Sequence, residues 1–264
     1  MVNQLNFEID PTFGCGSLTG MEVNELIEAC DRELQAMGAQ RELLCEVEGY
    51  PIYGYSLMRH DSERTVYLSA GIHGDEPAGP LALLELLKER KLSESCCWYV
   101  CPILNPTGLH AGIRENFQGL DLNRDYLNRR SQEIASHAKW LDGKKCDFAI
   151  SLHEDWESSG FYFYEINQLE DRPQRYLRMV EALAPTMQME PEALIDDHEV
   201  REAGWIYHGS EPDEPKHWPE AIFLATQGCP LSFTFETPNN LYLSLRVKAH
   251  KGADCAALRI CIRD

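Results

Sequence analysis

The sequence has few basic residues and lacks two features that would assign it to a special class of protein. Lysine and arginine number 24 against 43 aspartates and glutamates, which gives a formal net charge of −19. This negative charge opposes binding to nucleic acid and to anionic membrane surfaces. No apolar run approaches the roughly 18 residues of a membrane-spanning helix, and no CxxC pair of the zinc-ribbon or thioredoxin type occurs. We therefore expect neither a nucleic-acid partner nor a membrane anchor.

The ten cysteines do not indicate a disulfide framework. The first six residues lack the basic and apolar regions of a secretory signal. A chain of 264 residues can bury a large core without covalent bridges. Cys97 and Cys101 lie in an apolar run, which favours buried thiols. We therefore expect a cytoplasmic protein with free cysteines.

Short apolar runs bounded by turn residues predict buried strands, and apolar residues at helical spacing predict helices between them. Strands that alternate with helices predict an α/β fold, with a mixed, mostly parallel central sheet flanked by helices. We expect a single domain over residues 1–264, with an irregular arm over residues 1–20 and a loop-rich stretch over residues 187–219. The predicted strands cover residues 52–57, 65–70, 97–104, 146–152, 160–166 and 230–237, and the helices cover residues 21–37, 131–142, 172–183 and 241–255, with one more after Pro77.

Polar residues follow the ends of several predicted buried strands. His73 and Glu76 follow the strand over residues 65–70, and His153 follows the strand over residues 146–152. Ligands in open α/β sheets collect at the carboxyl ends of the strands. Two histidines and one glutamate, with one coordination position left for water, form a catalytic zinc pattern. The sequence therefore predicts one Zn²⁺ per chain, although an HxxE motif alone is a weak signal.

A second group of motifs makes the prediction specific. Residues 105–108 read Asn-Pro-Thr-Gly, and residues 121–124 read Asp-Leu-Asn-Arg, both at a short distance after HxxE. With these motifs and the later lone histidine, the chain resembles the zinc carboxypeptidase family from about residue 48 to residue 236. Thr107 stands where that family usually has an acidic residue. Compact relatives of the family include murein-peptide amidases and the succinylglutamate desuccinylase and aspartoacylase group.

The resemblance implies a role for each matching residue. It implies zinc ligation by His73, Glu76 and His153, and polarisation of the scissile carbonyl by Arg114. It implies that Asn123 and Arg124 bind the terminal carboxylate of the substrate, and that Glu236 is the general base. Tyr207 and His208 are candidates for the side chain that the family places over the substrate, although no motif fixes that position.

Several alternatives remain open at the level of the sequence. Glu154 could be the base instead of Glu236, but successive residues of an extended segment point to opposite faces, so we expect Glu154 to point away from a metal at His153. Arg124 could simply form an ion pair with Asp121 or Asp125.

The function expected from these residues is hydrolysis of a peptide or amide bond next to a free carboxylate. One alternative is an amidohydrolase of N-acyl amino acids, of the desuccinylase or aspartoacylase type. Another is a catalytically silent zinc-binding or ligand-sensing homologue, which the complete set of matching residues disfavours. The expected partner is a small peptide or an N-acyl amino acid, and the sequence leaves the oligomeric state open.

Overall fold

The computed structural model describes residues 21–62 and 64–263, and these residues form a mixed eight-stranded sheet flanked by helices. The irregular arm predicted over residues 1–20 lies outside the described residues. In spatial order the strands are β1-β2-β4-β3-β5-β10-β6-β9, and β7 and β8 form a separate hairpin. Their bounds are β1 Gln40–Val47, β2 Tyr50–Leu57, β3 Arg64–Ala70, β4 Cys96–Cys101, β5 Phe148–Asp155, β6 Tyr162–Asn167, β7 Leu194–Ile195, β8 His198–Glu199, β9 Trp205–His208 and β10 Leu231–Pro238.

The four central strands of the sheet are parallel, and the strand on each side of them pairs antiparallel. Strands β4, β3, β5 and β10 pair in parallel, whereas β2 pairs antiparallel with β4 and β6 pairs antiparallel with β10. The predicted α/β fold with a mixed, mostly parallel sheet is confirmed. The helices are α1 Val23–Ala36, α2 Ala78–Lys88, α3 Pro106–Ala111, α4 Gln132–Leu141, α5 Gln174–Leu183, α6 Glu220–Thr226 and α7 Leu243–Arg263, with a 3₁₀ turn at Leu122–Arg124.

Helices cover both faces of the sheet, which explains why the central strands read as unbroken apolar runs. On β3, Leu68 belongs to a core cluster with residues of α1, α2, α5 and α7. Its neighbour Tyr67 belongs to a second cluster with residues of α4 and α6. Alternate residues of a strand point to opposite faces, so the two clusters are the two sides of one sheet.

Several peripheral elements were not predicted from the sequence. Strand β1 exposes its first four side chains, so it lacks the apolar signal of a buried strand. Strand β9 and the β7–β8 hairpin lie inside the stretch that was predicted to be loop-rich. Helix α6 has only seven residues, which is too short for a clear helical period.

Two further observations bear on the expectations from composition. No helix within residues 21–62 and 64–263 is long and apolar enough to cross a membrane. All eight cysteines whose side chains the structure describes are free thiols.

Candidate active site

The polar clusters that follow the central strands meet at one edge of the sheet. Glu236 of β10 stands directly opposite His153 of β5 in the parallel register. Ala70, the last residue of β3, stands opposite Leu152, so the loop that carries His73 begins at the same edge. A cavity of about 770 Å³ opens there, lined by His73, Glu76, His153 and Glu236 among others.

Two glycines shape the loop that carries His73 and Glu76. Gly71 has φ +65°, a left-handed conformation that side chains other than glycine rarely adopt. Gly74 packs directly on Gly108 of α3, since a Cβ atom at Gly74 would lie 1.9 Å from the carbonyl carbon of Gly108. This close approach buries His73 and Glu76 against the end of the sheet.

His73, Glu76 and His153 are placed to hold a metal ion. The Nδ1 atoms of the two rings lie 2.6 Å and 3.1 Å from the two carboxylate oxygens of Glu76. Neither Glu76 Oε2 nor His73 Nε2 has a partner in hydrogen-bond geometry among the described residues, although both are buried. A buried carboxylate beside two imidazole nitrogens is a favourable position for a cation. His73 Nε2 also lies 3.3 Å from Asp121 Oδ1, the arrangement in which a carboxylate orients a metal-binding histidine. The three side chains therefore fit a metal ion.

The charges of the site hold Glu76 in its ionised form. Burial opposes ionisation, but the two histidine rings outweigh it and move the pKa of Glu76 well below its usual range. For His73, burial lowers the pKa, while the charge of Glu76 and the contacts with Asp121 and Glu76 raise it by more. A cation is therefore favoured at this position, whether it is a proton or a metal ion.

Arg114 reaches the same position from the segment that follows α3. Its backbone carbonyl accepts hydrogen bonds from Asn105 Nδ2 at 3.2 Å and from the Gly74 amide at 3.3 Å. Its guanidinium donates from Nε to Asp121 Oδ2 at 3.0 Å, and Nη1 lies 3.6 Å from Glu76 Oε1. The Asn-Pro-Thr-Gly turn thus positions Arg114 beside the metal ligands.

Thr107 takes part in this turn although it departs from the family pattern. Its hydroxyl accepts a hydrogen bond from the Phe117 amide at 3.1 Å and lies 3.3 Å from Asn105 Oδ1. The hydroxyl therefore joins the turn to the segment after α3 without a negative charge.

Asn123 and Arg124 lie in the 3₁₀ turn and line the cavity. Asn123 Oδ1 accepts a hydrogen bond from the Glu220 amide at 2.9 Å, which leaves the amide nitrogen of its side chain for a ligand. Arg124 donates to the carbonyl of Asn123 at 3.0 Å. Within the described ranges, no carboxylate forms an ion pair with Arg124, because Asp121 pairs with Arg114 and Asp125 with Arg130.

The neighbouring carboxylates of Glu154 and Glu236 have different surroundings. Glu154 accepts a hydrogen bond from the Ala78 amide at the start of α2 and forms an ion pair with Arg246 of α7. Its carboxylate therefore contacts the helices rather than the metal ligands. Both residues line the cavity, and burial raises the pKa of both carboxyls, that of Glu154 to about 7 and that of Glu236 well above its usual range, with further contributions at Glu236 from the charges of Glu76 and Asp155.

The structure does not bring Tyr207 into the cavity. Its side chain is 39% exposed and packs against Arg201 and Trp205. His208, the next residue of β9, does line the cavity. Two tyrosines of β6 that the sequence did not single out, Tyr162 and Tyr164, line it too. Their alternate spacing along a predicted strand was the signal that could have found them.

Solved structures of metallopeptidases share this fold. A candidate metallopeptidase from Shewanella baltica OS155 superposes with a TM-score of 0.79 at 25% identity, over 90% of this chain and 92% of that one. A metallo-carboxypeptidase from Burkholderia cenocepacia superposes with a TM-score of 0.68 at 20% identity, over 91% of this chain and 69% of that one.

The sequence is also similar to known hydrolases. It is 26% identical to carboxypeptidase SOL1 of Arabidopsis thaliana over 132 residues, which are 40% of this chain and only 27% of that relative. The family model of the succinylglutamate desuccinylase/aspartoacylase catalytic domain matches residues 62–236, a range that holds every residue of the site described above. The chain therefore belongs to the succinylglutamate desuccinylase/aspartoacylase family, and it shares its fold with solved metallo-carboxypeptidases.

Proposed function

We propose that this protein is a zinc-dependent hydrolase that cleaves a peptide or amide bond next to a free carboxylate. One observation carries the proposal. A single cavity is lined by a buried triad fit for a metal, by an arginine that forms no ion pair within the described residues, and by the buried carboxylate of Glu236. Each feature supplies one need of the reaction, namely a Lewis acid, an anchor for the substrate and a base.

The metal would be held by His73, Glu76 and His153. Two imidazoles and one carboxylate are the ligand set of catalytic zinc sites, which keep a position open for water. When bound, zinc would lower the pKa of water and polarise the scissile carbonyl. Asp121 supports this role because it lies against the free nitrogen of His73 and also holds Arg114.

The remaining residues would bind the substrate and move the proton. Arg124 and the free amide of Asn123 would bind the carboxylate of the substrate, since a guanidinium in a cavity that donates to a backbone carbonyl and forms no ion pair among the described residues favours an anion. Arg114 would stabilise negative charge on the carbonyl oxygen. Glu236 would take a proton from the attacking water and return it to the leaving nitrogen.

The match to the desuccinylase/aspartoacylase family favours a second candidate, the hydrolysis of N-acyl amino acids. Both reactions break an amide bond beside a free carboxylate, so the same anchor serves both. They differ in what lies on the other side of the bond, either a peptide or a short acyl group.

The test is an assay of chelator-treated protein that has been reloaded with zinc. Short peptides, γ-linked peptides, N-succinyl amino acids and N-acetyl amino acids are compared, each with a free and with an amidated carboxylate. We expect zinc to restore cleavage of the free acids, and the double variant His73→Ala, His153→Ala to remain inactive. His110→Ala is the matched control, because His110 is exposed on α3 outside the cavity lining. Full activity in the double variant would exclude the proposed metal site.

We also propose a cytoplasmic location. The support is the state of the cysteines, because Cys229 lies beside Cys146 and both are free thiols. Thiols persist in a reducing compartment, whereas neighbouring cysteines in an oxidising one tend to form disulfides.

A further inference from the structure

A second cluster of metal-binding side chains lies at the rim of the same cavity. It consists of His198 in β8, His208 at the end of β9 and Asp213 in the loop over residues 209–219, which we name the rim loop. One ligand atom from each of the three lies within 4.8 Å of the others. We propose that these residues bind a second divalent metal ion of the zinc class, which holds the rim loop against β8 and β9.

The hairpin of β7 and β8 fixes the position of His198. Its two turn residues, Asp196 and Asp197, both have positive φ, 49° and 61°. This is the backbone of a two-residue hairpin turn, and aspartate tolerates it better than most residues do. Tyr164 of β6 supports the turn, because its hydroxyl donates to Asp196 Oδ2 at 3.0 Å and its ring packs edge-on against His198. The hairpin turn and the contacts of Tyr164 therefore together fix the position of His198.

The distances within the cluster suit a metal centre. His208 Nε2 lies 3.1 Å and 3.2 Å from the two carboxylate oxygens of Asp213, and His198 Nε2 lies 3.5 Å from Asp213 Oδ2. In a tetrahedral centre with bonds of about 2.0–2.1 Å, neighbouring ligand atoms are about 3.3 Å apart. A small shift of the exposed Asp213 side chain would be enough to close the site around an ion.

The contacts of His208 orient its ring so that one nitrogen faces Asp213. Its Nδ1 lies within hydrogen-bond distance of the Gly209 carbonyl, which can only accept. Its Nε2 therefore lies on the side of the Asp213 carboxylate. A backbone carbonyl on Nδ1, with Nε2 turned toward the ion, is the usual arrangement of a metal-binding histidine.

The surroundings and the ligand types favour a divalent transition metal over a proton alone. Asp196, Asp197 and Glu214 also line this part of the cavity and add negative charge, which concentrates cations. Two imidazoles and one carboxylate suit Zn²⁺ and similar ions, whereas Mg²⁺ and Ca²⁺ prefer oxygen ligands alone. The side chain of Asp213 is 65% exposed, so this site binds more weakly than the buried triad.

The first test counts bound metal, with Zn²⁺ itself as the probe. Chelator-treated full-length protein is dialysed against buffered Zn²⁺ and the bound metal is measured. We expect two zinc ions per wild-type chain. We expect one in His208→Ala and one in Asp213→Asn, whose exposed position leaves the core intact. His217→Gln is the matched control, because His217 lies in the same loop but contacts Glu214 instead, and it should keep two.

The second test reads the position of the rim loop. Lys216 is a trypsin site within it, and Zn²⁺ should slow cleavage there at least several-fold in the wild type but not in Asp213→Asn. Mg²⁺ should give no protection. One zinc per wild-type chain, or an unchanged count in both His208→Ala and Asp213→Asn, would overturn the site. Binding of the second zinc without protection at Lys216 would overturn its role in holding the loop.

The double variant His73→Ala, His153→Ala separates this inference from the proposed active site. It should keep one zinc and the protection of Lys216, because the rim cluster is intact. If it binds none, the rim site is wrong and the active-site triad stands. If it still binds two, the active-site triad is wrong and the rim site is unaffected.

Discussion

Two glutamates one strand apart show how the surroundings of a residue decide its role. Glu236 and Glu154 are both buried near His153. The carboxylate of Glu154 already pairs with Arg246 and accepts a hydrogen bond from the start of α2, so these contacts give it a structural role. Burial raises the pKa of both carboxyls, but no ion pair among the described residues involves Glu236, whose side chain lines the cavity. The alternation of side chains along β5, which placed Glu154 away from His153 in the sequence, agrees with these contacts.

The first prediction compares the variants Glu236→Gln and Glu154→Gln. Glu236→Gln should lower kcat by about 10²–10⁴-fold, the usual size of a general acid–base contribution, while bound zinc is unchanged. Glu154→Gln should keep the kcat of the folded enzyme but destabilise it by about 3–5 kcal/mol, because Arg246 would remain charged and buried without a partner. Steady-state kinetics, metal analysis and urea unfolding of both variants provide the check. If Glu154→Gln abolishes activity and Glu236→Gln retains it, the general base is Glu154 and not Glu236.

The second prediction concerns the guanidinium of Arg124. Arg124→Ala should reduce kcat/KM for substrates with a free carboxylate by a factor that corresponds to about 2–5 kcal/mol, and it should affect their amidated analogues far less. Arg130→Ala is the matched control, because Arg130 pairs with Asp125 and does not line the cavity. If free and amidated substrates lose equally, the carboxylate binds elsewhere.

At the scale of elements, the sequence predicted the central strands well and the periphery poorly. Strand β3 was expected over residues 65–70 and is Arg64–Ala70, because burial on both faces leaves an unbroken apolar run. Strand β9 was missed because it is four residues long and lies at the edge of the sheet among acidic and proline-rich segments.

The same contrast holds for the site. The metal ligands could be found because they follow predicted buried strands. Asp-Leu-Asn-Arg could be found because its four residues form a recognisable motif. His198, His208 and Asp213 could not, because their proximity depends on a hairpin and a loop that carry no periodic signal. His208 was considered for the side chain over the substrate and not for a metal ligand, and His198 was not singled out.

A buried polar network joins the elements behind the candidate substrate site. Glu220, at the start of α6, accepts hydrogen bonds from Tyr67 at 2.6 Å and from Ser151 at 2.6 Å. His137 of α4 lies 2.9 Å from the hydroxyl groups of both Tyr67 and Tyr126. The Glu220 amide holds Asn123, so the network supports the turn that carries Asn123 and Arg124. The position of the carboxylate anchor thus depends on the packing of α4 and α6 against the sheet.

The third prediction is a loss of stability in mild acid, with His137 as its source. Burial lowers the pKa of His137 to about 4, below the ordinary value of about 6.5 for histidine. Its contribution to stability is complete above about pH 6.5. It is lost as the pH falls toward 4, because the unfolded chain takes up a proton that the folded chain excludes. Between pH 6.5 and 5 we expect a loss on the order of 2 kcal/mol from this residue.

Urea unfolding at several pH values tests the assignment to His137. His137→Gln should be less stable at pH 7 but should depend less on pH, by up to one proton. His110→Gln changes an exposed histidine and should keep the wild-type slope. An unchanged slope in His137→Gln would place the acid sensitivity in another residue.

At the scale of the whole molecule, charge is the dominant feature. The chain carries a net charge of −19, and the acidic side chains that line the cavity outnumber its two arginines. Glu157, Glu192, Asp197 and Glu214 belong to this acidic lining, whereas Arg114 and Arg124 also line it. A substrate with a carboxylate at one end and a cation at the other would match both parts of this field.

The fourth prediction follows from this field. A peptide that ends in lysine should have a higher kcat/KM at low ionic strength than its norleucine analogue, which has nearly the same shape but no charge. Raising the ionic strength from about 0.01 M to about 0.15 M shortens the Debye length from about 30 Å to about 8 Å. We therefore expect kcat/KM for the lysine peptide to fall by about 10-fold, with little change for the norleucine peptide. The measurement is a salt series on the two peptides with zinc-loaded enzyme, and parallel salt dependences for both would show that the acidic lining does not act on substrates.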